Sequence, residues 1–152
     1  MSRLPIILMV DDDEDHLFVA ERAITRAGIP ARLCMAHDGK EALRVLDQET
    51  APGAGPIALV MLDLRMSGMD GLEMLRDLRS DPRMRAVPVV VISSSDRPEE
   101  VREAYERGAN SYVVKRYGGS PGAYLADVAR YWLDLNRWAQ PQPAPSRENG
   151  AP

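Results

Sequence analysis

Asp11, Asp12 and Asp13 follow the apolar run Ile6-Ile7-Leu8-Met9-Val10, and Asp63 follows Ile57-Ala58-Leu59-Val60-Met61-Leu62. Ser93 closes the run Val87-Pro88-Val89-Val90-Val91-Ile92, and Lys115 follows Tyr112-Val113-Val114. Neighbouring carboxylates repel one another unless a cation or a proton joins them. A hard cation such as Mg²⁺ takes one or two carboxylates, several waters and phosphate oxygens. A carboxylate beside such a cation can attack phosphorus and become an acyl phosphate. A hydroxyl and an ammonium are donors for phosphoryl oxygens. Taken singly, each group has a plainer role. Asp13, Glu14 and Asp15 suit the cap and first turn of a helix. Asp63 could form a turn, Ser93 belongs to the polar run Ser93-Ser94-Ser95-Asp96, and Lys115 alone is a surface charge. As a set they point to phosphoryl chemistry at a metal site: Asp12 on the cation, Asp11 ordering its water shell, Asp63 as nucleophile, Ser93 and Lys115 on the phosphoryl oxygens.

Such a set must be gathered by the elements around it. Short apolar runs alternating with helical periodicity read as buried parallel strands. The pattern predicts strands at about 5–10, 31–36, 57–62, 88–92 and 111–115. Between them it predicts helices with apolar faces Leu17-Ala20-Ala23-Ile24-Ala27, Ala42-Leu43-Val45-Leu46 and Leu72-Leu75-Leu78, the first ending at Gly28 and the others covering Gly39–Glu49 and Gly71–Ser80. A fourth spans Pro98 to Arg107, with proline at its first turn and Gly108 just past its end. A last helix is predicted from about Pro121 to Trp138, and residues 51–56 are a loop on composition. Five strand–helix units with right-handed crossovers demand an open parallel sheet with helices on both faces. Functional groups in such sheets collect outside the carboxyl ends of the strands.

The 152 residues suit one domain with a good core. A net charge of -4 gives a nucleic-acid partner no support. The one cysteine, Cys34, excludes an intramolecular disulfide and reads as a small core residue. No apolar stretch approaches the roughly 20 residues that span a bilayer, and the N-terminal residues lack a signal-peptide layout. The expectation is a soluble cytoplasmic protein, with a globular domain over 4–138 and a disordered proline-rich tail over 139–152.

Four motifs in order resemble the receiver domain of bacterial two-component response regulators: Ile7-Leu8-Met9-Val10-Asp11-Asp12-Asp13, the stretch from Leu62-Asp63 to Asp70-Gly71, Val87 to Ser93, and Gly108-Ala109-Asn110-Ser111-Tyr112-Val113-Val114-Lys115. The resemblance implies a flavodoxin-like three-layer sandwich with strand order 2-1-3-4-5. It implies Asp63 as phosphoacceptor, Asp11, Asp12 and Asp63 with the backbone carbonyl of Arg65 as the Mg²⁺ site, Ser93 as switch hydroxyl, Lys115 as phosphate contact and Tyr112 as the aromatic that changes rotamer. It also implies a sensor histidine kinase as donor, and no catalytic turnover beyond self-catalysed phosphorylation and slow dephosphorylation. Two positions depart from the family pattern: Ser67 and Arg116 stand where prolines are usual. The expectation is a trans Lys115–Arg116 bond and an altered following loop. The Arg65 side chain either reaches the phosphoryl group or stays in solvent.

Too few residues follow Trp138 for a DNA-binding domain, so the expected output is a contact. In the last helix Leu125, Val128, Trp132 and Leu135 form the face expected to pack on the sheet or on a partner helix. Tyr124, Tyr131 and Trp138 form a second, aromatic stripe that either covers loops of the domain or makes an interface. The long helix with Tyr131-Trp132 resembles regulators that partner bacterial phytochromes, which implies a homodimer through the fourth helix, fifth strand and fifth helix. Rival readings are an aspartyl-phosphate phosphatase, a flavin module and a receiver-like module that is never phosphorylated. The first lacks the residues usual after Asp11-x-Asp13, the second needs a loop that is not acidic, and the third usually lacks part of the set present here.

Overall fold

The computed structural model of the chain describes residues 3–49, 55–65 and 71–139. Ser67, most of the 51–56 loop and the tail from Gln140 lie outside the described residues. Within them the chain alternates β1 (Ile6–Val10), α1 (Glu14–Arg26), β2 (Arg32–Ala36), α2 (Gly39–Glu49), β3 (Ile57–Leu62), α3 (Gly71–Ser80), β4 (Val89–Ser93), α4 (Pro98–Glu106), β5 (Ser111–Val114) and α5 (Ala123–Arg130). All strands pair in parallel, in the order β2-β1-β3-β4-β5. The expected fold and strand order are therefore those observed.

The period of two along each strand divides the core into two apolar layers. Ile6, Leu8, Val10, Val60, Leu62, Val89 and Val91 pack with Ala42, Leu46, Met74, Leu75, Leu78 and Ala104 from α2, α3 and α4. Ile7, Met9, Leu59, Met61, Val90 and Ile92 pack with Leu17, Ala20, Ile24, Leu125 and Ala129 from α1 and α5. Apart from Ile57, every residue of β1, β3 and β4 on either list is at most 3 % exposed, so these strands carry no polar residue until their ends. Cys34 sits on the edge strand β2, only partly buried, with Sγ 3.8 Å from Glu49 Oε1.

Helix starts follow local chemistry. Asp13 Oδ1 caps α1 by accepting the N–H groups of Asp15 and His16 at 3.0 and 3.3 Å, with Glu14 and Asp15 in the first turn as expected. Gly122 precedes α5 with φ of 74°, and a Cβ there would lie 2.8 Å from Val19 Cγ1 and 3.0 Å from Ala23 Cβ of α1. Glycine therefore lets α5 begin directly against α1.

The last helix differs from expectation. Regular helix ends at Arg130, Tyr131–Leu135 form a π-turn closed by Asn136 N–H to Tyr131 O at 2.7 Å, and Asn136 is extended at ψ 143°. The i→i+5 bond inserts a residue into the helical period. As a result Leu133 packs on the core with Trp132, while Leu135, expected on the sheet or on a partner helix, is 72 % exposed and does not pack on the sheet. Trp138 lies beyond the helix, so the stripe Tyr124-Tyr131-Trp138 is not formed. Tyr131 is half exposed and stacks edge-on against Trp132, ring centroids 5.2 Å apart at 87°. Tyr124 turns inward against α1 and the core.

Candidate functional site

Strand register brings the carboxylates together. Val10 pairs with Leu62, so the next residues, Asp11 and Asp63, leave neighbouring strands side by side. Their backbones remain tied to the sheet: Asp63 N–H donates to Val10 O at 2.9 Å and Asp11 N–H to Ala36 O at 3.1 Å. β1 and β3 flank the point where strand order reverses, the crevice in which open α/β sheets bind ligands. Gly71 lets α3 close beneath this end, since a Cβ there would lie 2.6 Å from both Asp63 O and Leu64 Cα.

Carboxylate oxygens of Asp11, Asp12 and Asp63 lie within 4.8 Å of one another, with Asp11 and Asp63 buried and Asp12 exposed. Lys115 Nζ sits between the buried pair, 3.1 Å from Asp11 Oδ2 and 3.3 Å from Asp63 Oδ2. β5 delivers it: Ser93 pairs with Val114, and Lys115 N–H donates to Ser93 O at 2.8 Å. The Ser93 hydroxyl is buried and accepts the N–H of Ser95 at 3.2 Å. The Tyr112 hydroxyl donates to Ser95 O at 2.8 Å, so the aromatic and the hydroxyl meet at the same loop.

The two buried carboxylates differ electrostatically. Burial, with the charge of Asp11 added, pushes Asp63 up from 3.8 to about 6, against the pull of the Arg65 N–H and Lys115. Burial also acts to raise Asp11, but the His16 hydrogen bond, the Asp13 N–H and Lys115 prevail and bring it down to about 2. Burial acts to lower Lys115, and the charges of Asp63 and Asp11 outweigh it, leaving the ammonium above its usual value. Three hard oxygen donors with a crowded negative charge fit Mg²⁺ and offer a softer metal no nitrogen or sulfur in the cluster.

Arg65 donates its N–H to Asp63 Oδ1 at 3.1 Å, which turns its peptide toward the site. Its guanidinium is held elsewhere, 2.9 Å from Glu100 Oε1 on α4. The Lys115–Arg116 bond is trans, as is every described peptide bond. The loop after it leads through Tyr117, exposed, to Gly122.

One residue escaped the sequence reading. His16 Nδ1 is 2.5 Å from Asp11 Oδ2, and His16 Nε2 is 3.1 Å from the Tyr124 hydroxyl. The signal was available, because His16 sits in the first turn of α1 next to Leu17 of its buried face. It was hidden inside a run of acids that explained itself as capping.

The family model of the response regulator receiver domain matches residues 7–121. Among curated relatives, the probable methanogenesis regulatory protein FilR2 of Methanothrix harundinacea is 36 % identical over 140 residues, covering 91 % of this chain and 89 % of that protein. The phosphorylated cyanobacterial phytochrome response regulator RcpA superposes with a TM-score of 0.81 at 27 % identity, covering 91 % of this chain and 100 % of that one. The bacteriophytochrome response regulator RtBRR superposes with a TM-score of 0.71 at 32 % identity, covering 94 % and 86 %.

Proposed function

This chain belongs to the response regulator receiver domain family, and from that premise we propose that it takes a phosphoryl group onto Asp63 from a sensor histidine kinase and converts it into a change of contact surface. The observation that carries the reading is the placing of Lys115 Nζ between Asp11 Oδ2 and Asp63 Oδ2 at the strand-order reversal. Asp11, Asp12, Asp63 and the carbonyl of Arg65 would hold Mg²⁺. When bound, it supplies positive charge that offsets repulsion between Asp63 and an incoming phosphoryl group.

An Asp63 oxygen forms the new O–P bond as the P–N bond to the donor imidazole breaks, and the leaving nitrogen takes up a proton. Lys115 follows the negative charge from the carboxylate to a phosphoryl oxygen, and the Ser93 hydroxyl donates to another. Ser93 then gives up its bond from Ser95 N–H, the loop whose carbonyl holds Tyr112. Release of Tyr112 shifts a two-state equilibrium on the face of α4, β5 and α5. Tyr105, Val114, Tyr131 and Leu135, all exposed apolar groups on or next to these elements, support a second copy of this chain as the occupant of that face.

Similarity to RcpA and RtBRR supports a phytochrome-type kinase as donor. No described helix is long and apolar enough to cross a membrane, and we place the reaction in the cytoplasm. Incubation with candidate histidine kinases and Mg²⁺ tests the reading: Asp63→Asn should take no label, and a phytochrome-type kinase should label the wild type fastest. Labelling of Asp63→Asn at the wild-type rate would refute the assignment. Sedimentation of the wild type and Leu135→Asp, with and without phosphorylation, tests the dimer; a monomer at high micromolar concentration in both states argues against it.

A further inference from the structure

The carboxylate of Asp11 is held by three donors. Oδ1 accepts the Asp13 N–H at 2.9 Å, and Oδ2 accepts from Lys115 Nζ at 3.1 Å and from His16 Nδ1 at 2.5 Å. An ionised carboxylate has about four acceptor positions, so these three set its plane, within 4.8 Å of the carboxylate oxygens of Asp12 and Asp63. The donors are unequal in permanence. On the proposed function, which this inference rests on, Lys115 is drawn to the phosphoryl group. The Asp13 N–H holds only the other oxygen. His16 alone among these three then continues to hold Oδ2.

His16 is itself anchored. Its side chain is 15 % exposed, its N–H is capped by Asp13 Oδ1 at 3.3 Å, and its far nitrogen meets the Tyr124 hydroxyl on α5 at 3.1 Å. Asp11 can only accept, so Nδ1 carries the hydrogen. The Tyr124 hydroxyl, donor or acceptor as required, suits Nε2 in either ring form. Gly122 brings α5 close enough to α1 for this bond, two residues before Tyr124. The order Tyr124–His16–Asp11 resembles the outer partners of metal sites, where a group behind the ligand fixes its orientation.

We propose that His16 is a positioning residue for the metal site, holding Asp11 in its cation-facing orientation, with Tyr124 fixing the imidazole from α5. Cation affinity is thereby tied to the seating of α5 on α1, a connection separate from the one through Ser93 and Tyr112.

Mn²⁺ binding to the unphosphorylated full chain, read by the electron paramagnetic resonance of free Mn²⁺, tests it without any phosphoryl donor. His16→Ala should weaken Mn²⁺ roughly tenfold or more, the range seen when an outer partner is removed. His16→Asn puts an amide N–H where Nδ1 stood but cannot reach Tyr124, so it and Tyr124→Phe should both fall between the wild type and His16→Ala. Melting temperatures taken in the absence of metal identify any variant that fails to fold; Tyr124→Phe, which loses a single oxygen, then carries the test. His16→Ala or a folded Tyr124→Phe binding like the wild type overturns the proposal, as does His16→Asn binding as weakly as His16→Ala. Asp12→Asn binding Mn²⁺ like the wild type would instead refute the metal-site reading beneath it, and the proposal with it.

Discussion

The ammonium of Lys115 lies 3.3 Å from Oδ2 of Asp63, and the same nitrogen is 3.1 Å from Asp11. One cation thus neutralises two buried carboxylates that would otherwise face each other. Removing one partner of a buried charge group leaves the others uncompensated. Lys115→Met should lower metal-free stability at neutral pH by about 2 kcal/mol, with much of the loss recovered in excess Mg²⁺. Urea denaturation with and without Mg²⁺ checks this, and a loss indifferent to Mg²⁺ would speak against the shared site.

Asp63 predicts a pH dependence of opposite sign to that of an ordinary paired acid. Its folded value is raised to about 6 from 3.8. The unfolded chain releases this proton near pH 4, whereas the folded chain keeps it to about 6, so stability falls as pH rises through that window and the cost is complete above it. Asp63→Asn removes the cost. Metal-free Asp63→Asn should exceed the wild type by about 1–2 kcal/mol at neutral pH, less than the full shift because Lys115 loses one of its two partners, and match it below about pH 4. Denaturant titrations across this range decide it; equal stability at neutral pH would contradict the crowding of charge.

Arg65 and Glu100 form an exposed pair at 2.9 Å. Such pairs add little stability, so Glu100→Ala should change unfolding by less than about 0.5 kcal/mol. It should free a guanidinium two residues from Asp63 to meet the phosphoryl group. A gain of about 1 kcal/mol there would lengthen the life of the phosphorylated form roughly fivefold. The double variant Arg65→Ala/Glu100→Ala should lose that gain, as measured by release of labelled phosphate.

Gly122 and Gly28 share a left-handed φ, 74° and 70°, but only Gly122 has neighbours where a Cβ would stand. Gly28→Ala should therefore cost about 1 kcal/mol, from strain alone, and Gly122→Ala about 2–3 kcal/mol because Val19 and Ala23 must also yield. Thermal unfolding of the two variants isolates the steric part; equal losses would mean that α5 is not seated on α1 as closely as described.

The sequence by itself determined the strands, the first four helices, the parallel sheet and which residues stand at its strand ends. Apolar runs such as Ile6–Val10 and Ile57–Leu62 leave only one place for Asp11 and Asp63, the strand end, because a charge cannot sit inside a strand buried on both faces. Tertiary structure decided what periodicity cannot carry. The π-turn at Tyr131–Leu135 is a one-residue insertion with no composition signal, and it alone exchanged Leu135 for Leu133 in the core. The direction of Arg65 depended on Glu100, distant in sequence and close only after α4 folds against the site. His16 gained its role from Tyr124, a residue 108 positions away. The last two rest on side-chain contacts across elements, which exist only once the sheet and its two helical layers have been assembled.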